Sequence, residues 1–135
     1  MTPVRLNIAA LVVALGLAGC ATVGANFSSG ILTDQAGMTL YTFDKDVANS
    51  NKSMCNGPCA ANWPPLVASK DDKGGGAWSI MTRDDGSLQW AYNGKPLYRW
   101  VKDKKPGDRT GDGVGKAWHI VQEDRPVTQM SVGGY

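Results

Sequence analysis

The sequence predicts an all-β fold: a single domain of two pseudo-symmetric repeats, arranged as a small sandwich or barrel, after an N-terminal signal segment. Three observations predict it. A ten-residue pattern occurs twice, short alternating segments are separated by turn sequences, and the acidic residues are 11 Asp against one Glu. Aspartate and glycine favour turns over helix interiors, which argues against a helical bundle. A chain of 135 residues is long enough for one such domain.

Residues 1–19 are predicted to be a lipoprotein signal peptide. Arg5 gives the segment a positive charge, and residues 8–18 form an almost unbroken apolar run that is too short to span a bilayer. The run closes on Leu17-Ala-Gly-Cys20, which resembles the bacterial lipobox. Small residues there fit a peptidase site, and the thiol of Cys20 is the expected attachment point for a diacylglycerol. An ordinary secretory signal with an incidental cysteine is the alternative.

The lipid on Cys20 makes the membrane the first predicted partner. Several acyl chains anchor a protein firmly, whereas a single chain is marginal. Ala21 follows the cysteine, where an aspartate would be an inner-membrane retention signal. The expected location is therefore the cell envelope, and in a Gram-negative organism the outer membrane, at its periplasmic face or its surface. Residues 20–29 are small and polar and predict a tether, which is followed by a β domain at 30–135.

The β domain contains an internal duplication. Residues 37–46 align without gaps on residues 94–103, which lie 57 residues further along, and five columns are identical. Trp63 and Trp118 occupy similar places downstream, with a two-residue difference in spacing. Two halves that are each too small for a core of their own are expected to pack as one domain. The predicted repeats are about 30–76 and 77–125, with a C-terminal tail.

Each repeat is predicted to form β-hairpins. In the second repeat, residues 77–83 and 88–92 alternate around a turn at 84–86, and Asn93-Gly94 is the strongest short hairpin signal in the chain. Pro58 suits the first position of one helical turn over residues 58–62. The predicted strands, seven or eight in all, include residues 31–33, 38–43, 66–68, 77–83, 88–92, 95–100 and 118–122.

A Tyr-x-aromatic-x-x-Asp motif marks both copies of the duplicated pattern. Its residues are Tyr41, Phe43 and Asp46 in the first copy and Tyr98, Trp100 and Asp103 in the second. Together with the spaced pair Cys55 and Cys59 and the lipobox, the motif resembles that of the bacterial secreted-repeat lipoproteins. The resemblance covers nearly all of the chain after the signal segment. It implies an exported lipoprotein built of paired repeats, and it supplies no catalytic residues.

The duplicated tyrosines are expected to be architectural. In strand geometry the tyrosine and the following aromatic residue of each motif point to the same face. A buried tyrosine needs a partner for its hydroxyl, and Asp46 and Asp103 are the candidates, which would also orient the loops that follow them. Ligand binding is the alternative, in which the two aspartates would line a shared site at the pseudo-twofold axis.

A disulfide is the expected state of Cys55 and Cys59, because exported thiols meet an oxidising compartment. Their C-x3-C spacing allows it, since a turn through Gly57-Pro58 brings the two Cα atoms close enough. Metal or redox chemistry is the alternative. A copper site would draw on His119, Met54, Cys55 and Cys59, or a haem on His119 with a methionine, but a single histidine falls short of a blue-copper set. We therefore expect no metal and no cofactor apart from the lipid.

The function predicted from the sequence is that of a non-enzymatic, membrane-anchored protein that binds a partner or supports the envelope. A formal net charge of +2, with no basic stripe, argues against nucleic acid. The chain shows no nucleophile motif and no convincing acid–base pair. The second hypothesis is an envelope redox or metal carrier of copper or haem, and an enzyme with an unfamiliar site ranks third. Whether the partner is a protein or a small molecule stays open.

Overall fold

A computed structural model describes residues 24–124 of the chain. The predicted signal peptide, the lipidation residue Cys20, residues 21–23 of the predicted tether and the C-terminal tail lie outside the described residues. Between these limits most of the regular elements are strands, with one short helix, α1 (Pro58–Asn62), and a 3-10 turn at Val114–Lys116. The eight strands are β1 (Ala25–Ser28), β2 (Ile31–Asp34), β3 (Tyr41–Phe43), β4 (Val67–Ala68), β5 (Trp78–Thr82), β6 (Leu88–Tyr92), β7 (Lys95–Pro96) and β8 (Trp118–Ile120).

The strands pair antiparallel in three small sheets. β1 pairs with β2, β3 pairs with β8, and the third sheet has the order β4-β6-β5 with β7 also paired to β6. Isolated bridges connect these sheets: Ile31 pairs with Gln122, and Tyr41 pairs with Tyr98. The prediction of an all-β domain of two repeats is confirmed.

Local turn chemistry explains the hairpins. Asn93 and Gly94 have φ angles of 49° and 78° and connect β6 to β7, as their sequence predicted. In the first repeat, Asp34 Oδ1 accepts hydrogen bonds from the amides of Ala36 and Met38, which closes the predicted turn after β2. The helical turn at Pro58 also forms where it was predicted.

Two expectations are corrected. The tether predicted over 20–29 includes β1, because Ala25 and Phe27 pack against the buried hydrophobic residues around Trp90. Ser29-Gly30, with φ angles of 51° and 78°, then forms a tight turn into β2. The strand predicted over 95–100 is shorter, because after β7 the chain leaves β6 and crosses to another sheet. The amide of Leu97 still binds the carbonyl of Trp90, but the next amide binds a carbonyl in β3.

The core has two clusters that the crossing segments connect. The first packs leucines of both repeats around Trp90, with members Leu32, Leu40, Leu66, Ala68, Trp90 and Leu97. The second is mostly aromatic and contains three of the four motif aromatics, with members Tyr41, Phe43, Cys55, Trp63, Tyr98 and Trp118. Leu40 and Leu97, at the same position of the duplicated pattern, belong to the first cluster, and each precedes a motif tyrosine in the second. The second cluster is the candidate functional site.

Candidate functional site

The two motif tyrosines face each other across the centre of the molecule. The amide of Tyr41 donates to the carbonyl of Tyr98 over 2.8 Å, and the amide of Tyr98 donates to the carbonyl of Tyr41 over 3.0 Å. Neighbouring contacts are duplicated as well: the amide of Asp44 binds the carbonyl of Ala117, and the amide of Val101 binds that of Asn62. These paired contacts place a pseudo-twofold axis between the two tyrosines.

Each tyrosine donates its hydroxyl hydrogen bond to the aspartate of the other repeat. Tyr41 Oη lies 2.6 Å from Asp103 Oδ2, and Tyr98 Oη lies 2.6 Å from Asp46 Oδ2. Both tyrosines and both aspartates are buried. The repeats therefore exchange their polar side chains, and each supplies the acceptor that the buried phenol of the other requires.

The second carboxylate oxygen of each aspartate binds the loop that follows it. Asp46 Oδ1 accepts the amide of Met54 over 2.6 Å. Asp103 Oδ1 accepts the amide of Thr110 over 3.0 Å and its hydroxyl over 2.6 Å. Hydrogen bonds to a charged acceptor are among the stronger ones in proteins. We expected these aspartates to hold the tyrosine hydroxyls and orient their loops, and the structure shows both contacts.

Aromatic rings from both repeats form a continuous column. Trp100 stacks on Trp63 with centroids 3.9 Å apart, and Trp63 stacks on Trp118 at 3.8 Å with nearly parallel planes. Phe43 continues the column on Trp118 at 4.3 Å. Tyr41 meets Trp63 edge to face, as Tyr98 meets Trp118. The similar places of Trp63 and Trp118 in the sequence thus correspond to equivalent places in the fold.

The environment of both phenols raises their pKa well above the usual value for tyrosine. Burial is the larger cause at Tyr41 and at Tyr98, because it penalises the phenolate. The hydrogen bond to Asp103 or to Asp46 adds to it, since a carboxylate acceptor favours the protonated phenol. Both hydroxyls are therefore neutral donors at physiological pH.

A buried arginine supports one half of the site, and sequence reasoning missed it. Arg83 follows β5 and donates to Ser53 Oγ over 3.0 Å, to Gln89 Oε1 over 2.6 Å and to the carbonyl of Cys55 over 2.6 Å. Ser53 Oγ in turn lies 2.6 Å from the hydroxyl of Tyr98. Arg83, Ser53 and Gln89 lie outside the duplicated pattern, so the duplication could not indicate them. A charged residue at the end of an alternating strand was the available signal.

The disulfide predicted between Cys55 and Cys59 is confirmed. The two Cα atoms are 5.2 Å apart, and the bond closes the loop that begins α1. Cys55 is buried in the aromatic cluster. The amide of Trp63 donates to the carbonyl of Cys59 over 2.8 Å, so the helical turn carries Trp63 into the column.

The structure does not gather the ligands considered for a metal. His119 Nε2 lies 2.8 Å from Asp44 Oδ2, both side chains being about half exposed. Met54 is exposed, and the thiols of Cys55 and Cys59 form a disulfide rather than free thiolates. In residues 24–124 no group of three or more His, Cys, Asp or Glu side chains is arranged to hold a metal ion.

Comparison with protein families identifies the repeats. A family model described as a secreted repeat of unknown function matches the chain twice, over residues 28–67 and 79–122. Together the two matches cover more than half of the 135 residues. The chain belongs to this family. The resemblance to secreted-repeat proteins is thereby confirmed, and membership indicates an exported protein.

Other comparisons add no relative. No curated protein and no solved structure matches the chain. Among residues 24–124, no helix is long and apolar enough to cross a membrane.

Proposed function

We propose that this secreted-repeat protein is lipid-anchored in the cell envelope through Cys20 and acts there without catalysis, as a binding or structural component. In a Gram-negative organism its proposed location is the outer membrane, at the periplasmic face or the surface. The partner beyond the membrane is a protein or a small molecule, and not a nucleic acid.

The observation that carries the non-enzymatic role is the reciprocal use of the motif. Tyr41 and Asp103 satisfy each other inside the protein, as do Tyr98 and Asp46. Groups that are hydrogen-bonded to one another and buried away from solvent are poorly placed to contact a substrate. The motif residues therefore fit a role in joining the repeats.

The surface of the domain also favours binding over catalysis. A cavity of about 630 Å³ is lined by residues of the turn between β1 and β2, by Arg109 and by the end of the described chain: Ser29, Gly30, Ile31, Arg109, Gln122, Glu123 and Asp124. None of these residues belongs to the motif, and none is a histidine or a cysteine. The cavity is open and polar, which suits a polar partner group.

The anchor is tested by labelling with a fatty-acid analogue in a bacterial host. The full-length chain should incorporate the label and sediment with membranes, and Cys20→Ser should lose both properties. A matched control, the double variant Cys55→Ala/Cys59→Ala, removes two other cysteines and should keep them. Labelling that survives Cys20→Ser, or a full-length chain recovered unlabelled in the soluble fraction, would contradict the proposed anchor.

The proposed function includes no bound metal or haem, and this is tested on purified protein that comprises residues 21–135. We expect elemental analysis to find no stoichiometric metal, and the visible spectrum to be flat in oxidised and reduced protein. One equivalent of copper or haem that disappears in His119→Ala would establish the carrier role instead.

A further inference from the structure

The column of stacked rings begins at a partly exposed ring and continues through buried ones. Trp100 is partly exposed, whereas Trp63 is buried. Tyr41 then meets the edge of Trp63 with centroids 5.4 Å apart. Indole and phenol rings are the most easily oxidised side chains apart from sulfur groups, and these three lie in direct contact. Packing alone does not require an oxidisable ring at the position of Trp100. The first repeat carries Phe43 at the equivalent position, and phenylalanine is not easily oxidised.

The polar contacts differ at the two ends of this path. Trp100 Nε1 is buried and has no hydrogen-bond partner among residues 24–124, so no base is in place to take its proton. Lys102 Nζ lies 5.6 Å from the centre of the Trp100 ring, and its positive charge disfavours a second positive charge there. Tyr41, by contrast, already donates a hydrogen bond to Asp103 Oδ2 over 2.6 Å, so an acceptor for its proton is in place.

We propose that Trp100, Trp63, Tyr41 and Asp103 form a proton-coupled electron-donor site for a one-electron, outer-sphere oxidant that reaches the exposed part of Trp100. The oxidant takes one electron from Trp100. An electron then moves from Trp63 to Trp100, and one from Tyr41 to Trp63, while the phenol proton moves to Asp103 Oδ2. The net products are the reduced oxidant, a neutral phenoxyl radical on Tyr41 and a protonated Asp103, and no other bond breaks.

The charges around the two tyrosines select Tyr41 as the end of the path. Within residues 24–124, the carboxylates of Asp103 and Asp112 act electrostatically on Tyr41 and favour the loss of an electron nearby. Tyr98 has Asp46 but also the cation of Arg83, which opposes it. The amide of Gly111 donates to Tyr41 Oη over 3.2 Å and remains as a donor to the phenoxyl oxygen.

The proposal is tested by flash photolysis of the disulfide-bonded protein with ruthenium(II) tris(bipyridine) and a cobalt(III) ammine as the sacrificial acceptor. All samples carry Tyr135→Phe, which removes the tyrosine outside the described residues. We expect a phenoxyl radical, detected by its absorption and by paramagnetic resonance of freeze-quenched samples. Tyr41→Phe should lose this signal. The matched control is Tyr92→Phe, because Tyr92 also contacts aromatic rings but has no carboxylate partner among residues 24–124, and it should leave the signal unchanged.

Trp100→Phe tests the path without disturbing the fold. It reproduces the ring that the first repeat carries at Phe43, so the column should remain, and near-ultraviolet circular dichroism checks this. We expect most of the phenoxyl signal to be lost. A signal of undiminished size in Trp100→Phe, or one that survives in Tyr41→Phe, would overturn the proposal.

Asp103→Asn distinguishes a proton acceptor from a packing residue. The amide can still accept the hydrogen bond from Tyr41 but cannot take the proton at neutral pH. In a variant that folds, we expect a longer-lived tryptophan radical and less phenoxyl. If Asp103→Asn does not fold, the rate of phenoxyl formation in deuterium oxide replaces it, and a rate equal to that in water would refute the coupled proton transfer.

Discussion

Tyr98→Phe removes one hydroxyl group from the most connected side of the site. The ring keeps its edge-to-face contact with Trp118, because phenylalanine has the same shape. The hydroxyl is within 2.6 Å of both Asp46 Oδ2 and Ser53 Oγ, and both contacts disappear. Asp46 retains the amide of Met54 on its other oxygen, whereas Oδ2 is left buried without a donor.

The expected loss of stability follows from that carboxylate oxygen. A hydrogen bond to a charged group contributes about 1.5–3 kcal/mol, and removing its donor in a buried place exposes the full desolvation cost of the acceptor. Asp46 is 2% exposed, so water cannot replace the phenol without opening the loop. We therefore expect Tyr98→Phe to lower the free energy of unfolding by about 2 kcal/mol.

Urea and thermal unfolding measure this effect. For a domain of this size, about 2 kcal/mol corresponds to a fall in melting temperature of roughly 8–16 °C. The matched control is Tyr92→Phe, which removes a hydroxyl from a partly buried ring that has no carboxylate partner in the described part of the chain. It should change stability by less than about 0.5 kcal/mol. Equal losses in the two variants would refute the reasoning, because they would show that the carboxylate contact contributes nothing specific.

Three further perturbations test separate parts of the structure. The unfolded chain releases its phenol protons near pH 10, whereas the folded protein retains those of Tyr41 and Tyr98. The free energy of unfolding should therefore fall as the pH rises above 10, by about 1.4 kcal/mol per pH unit for each tyrosine. Urea midpoints at alkaline pH measure the slope; Tyr41→Phe should roughly halve this contribution, and an unchanged slope would contradict the assignment. Gly111→Ala would place its methyl group 2.9 Å from ring carbons of Tyr41 and Trp63, which should lower the free energy of unfolding by about 1–3 kcal/mol. Gly75→Ala, whose methyl group meets no described atom within 4 Å, should lower it less. Equal melting temperatures of the two variants would exclude the predicted crowding. Reducing the disulfide, whose cysteines are four residues apart, should lower stability by about 2 kcal/mol, as measured by urea unfolding with and without dithiothreitol, and overlapping curves would show that the short loop contributes nothing.

Local signals in the sequence predict the hairpins well. Asn93-Gly94 requires positive φ at both positions, a requirement that these residues meet at little cost, so the turn is determined by its own two residues. Ser29-Gly30 adopts nearly the same angles, and its position before an apolar strand was a signal for β1 that the small, polar composition of the preceding segment obscured. Turns whose geometry depends on residues adjacent in the sequence therefore carry a readable signal, even where, as at β1, the composition of the segment obscured it.

Contacts between the repeats were less predictable. The duplicated motif indicates that tyrosine and aspartate pair, but pairing within a repeat and pairing between repeats have the same sequence pattern. Pairing between the repeats depends on the three-dimensional path of the chain, in which the segments after Leu40 and Leu97 cross from one sheet to another and lie side by side. Arg83 and Ser53 lie outside the duplicated pattern, and the hydrogen bond between them joins residues that are far apart in the sequence. No periodic pattern in the sequence could therefore indicate it.

A double-mutant cycle on the tyrosine–aspartate pairs tests the central claim, which is that the two repeats exchange these side chains. Tyr41→Phe combined with Asp103→Asn should show a coupling free energy of about 1 kcal/mol, because Tyr41→Phe removes the hydrogen bond between the repeats and Asp103→Asn removes its charged acceptor. Tyr41→Phe combined with Asp46→Asn, which lie in one repeat, should be additive to within about 0.5 kcal/mol. Strong coupling within the repeat and additivity between the repeats would contradict the exchanged architecture.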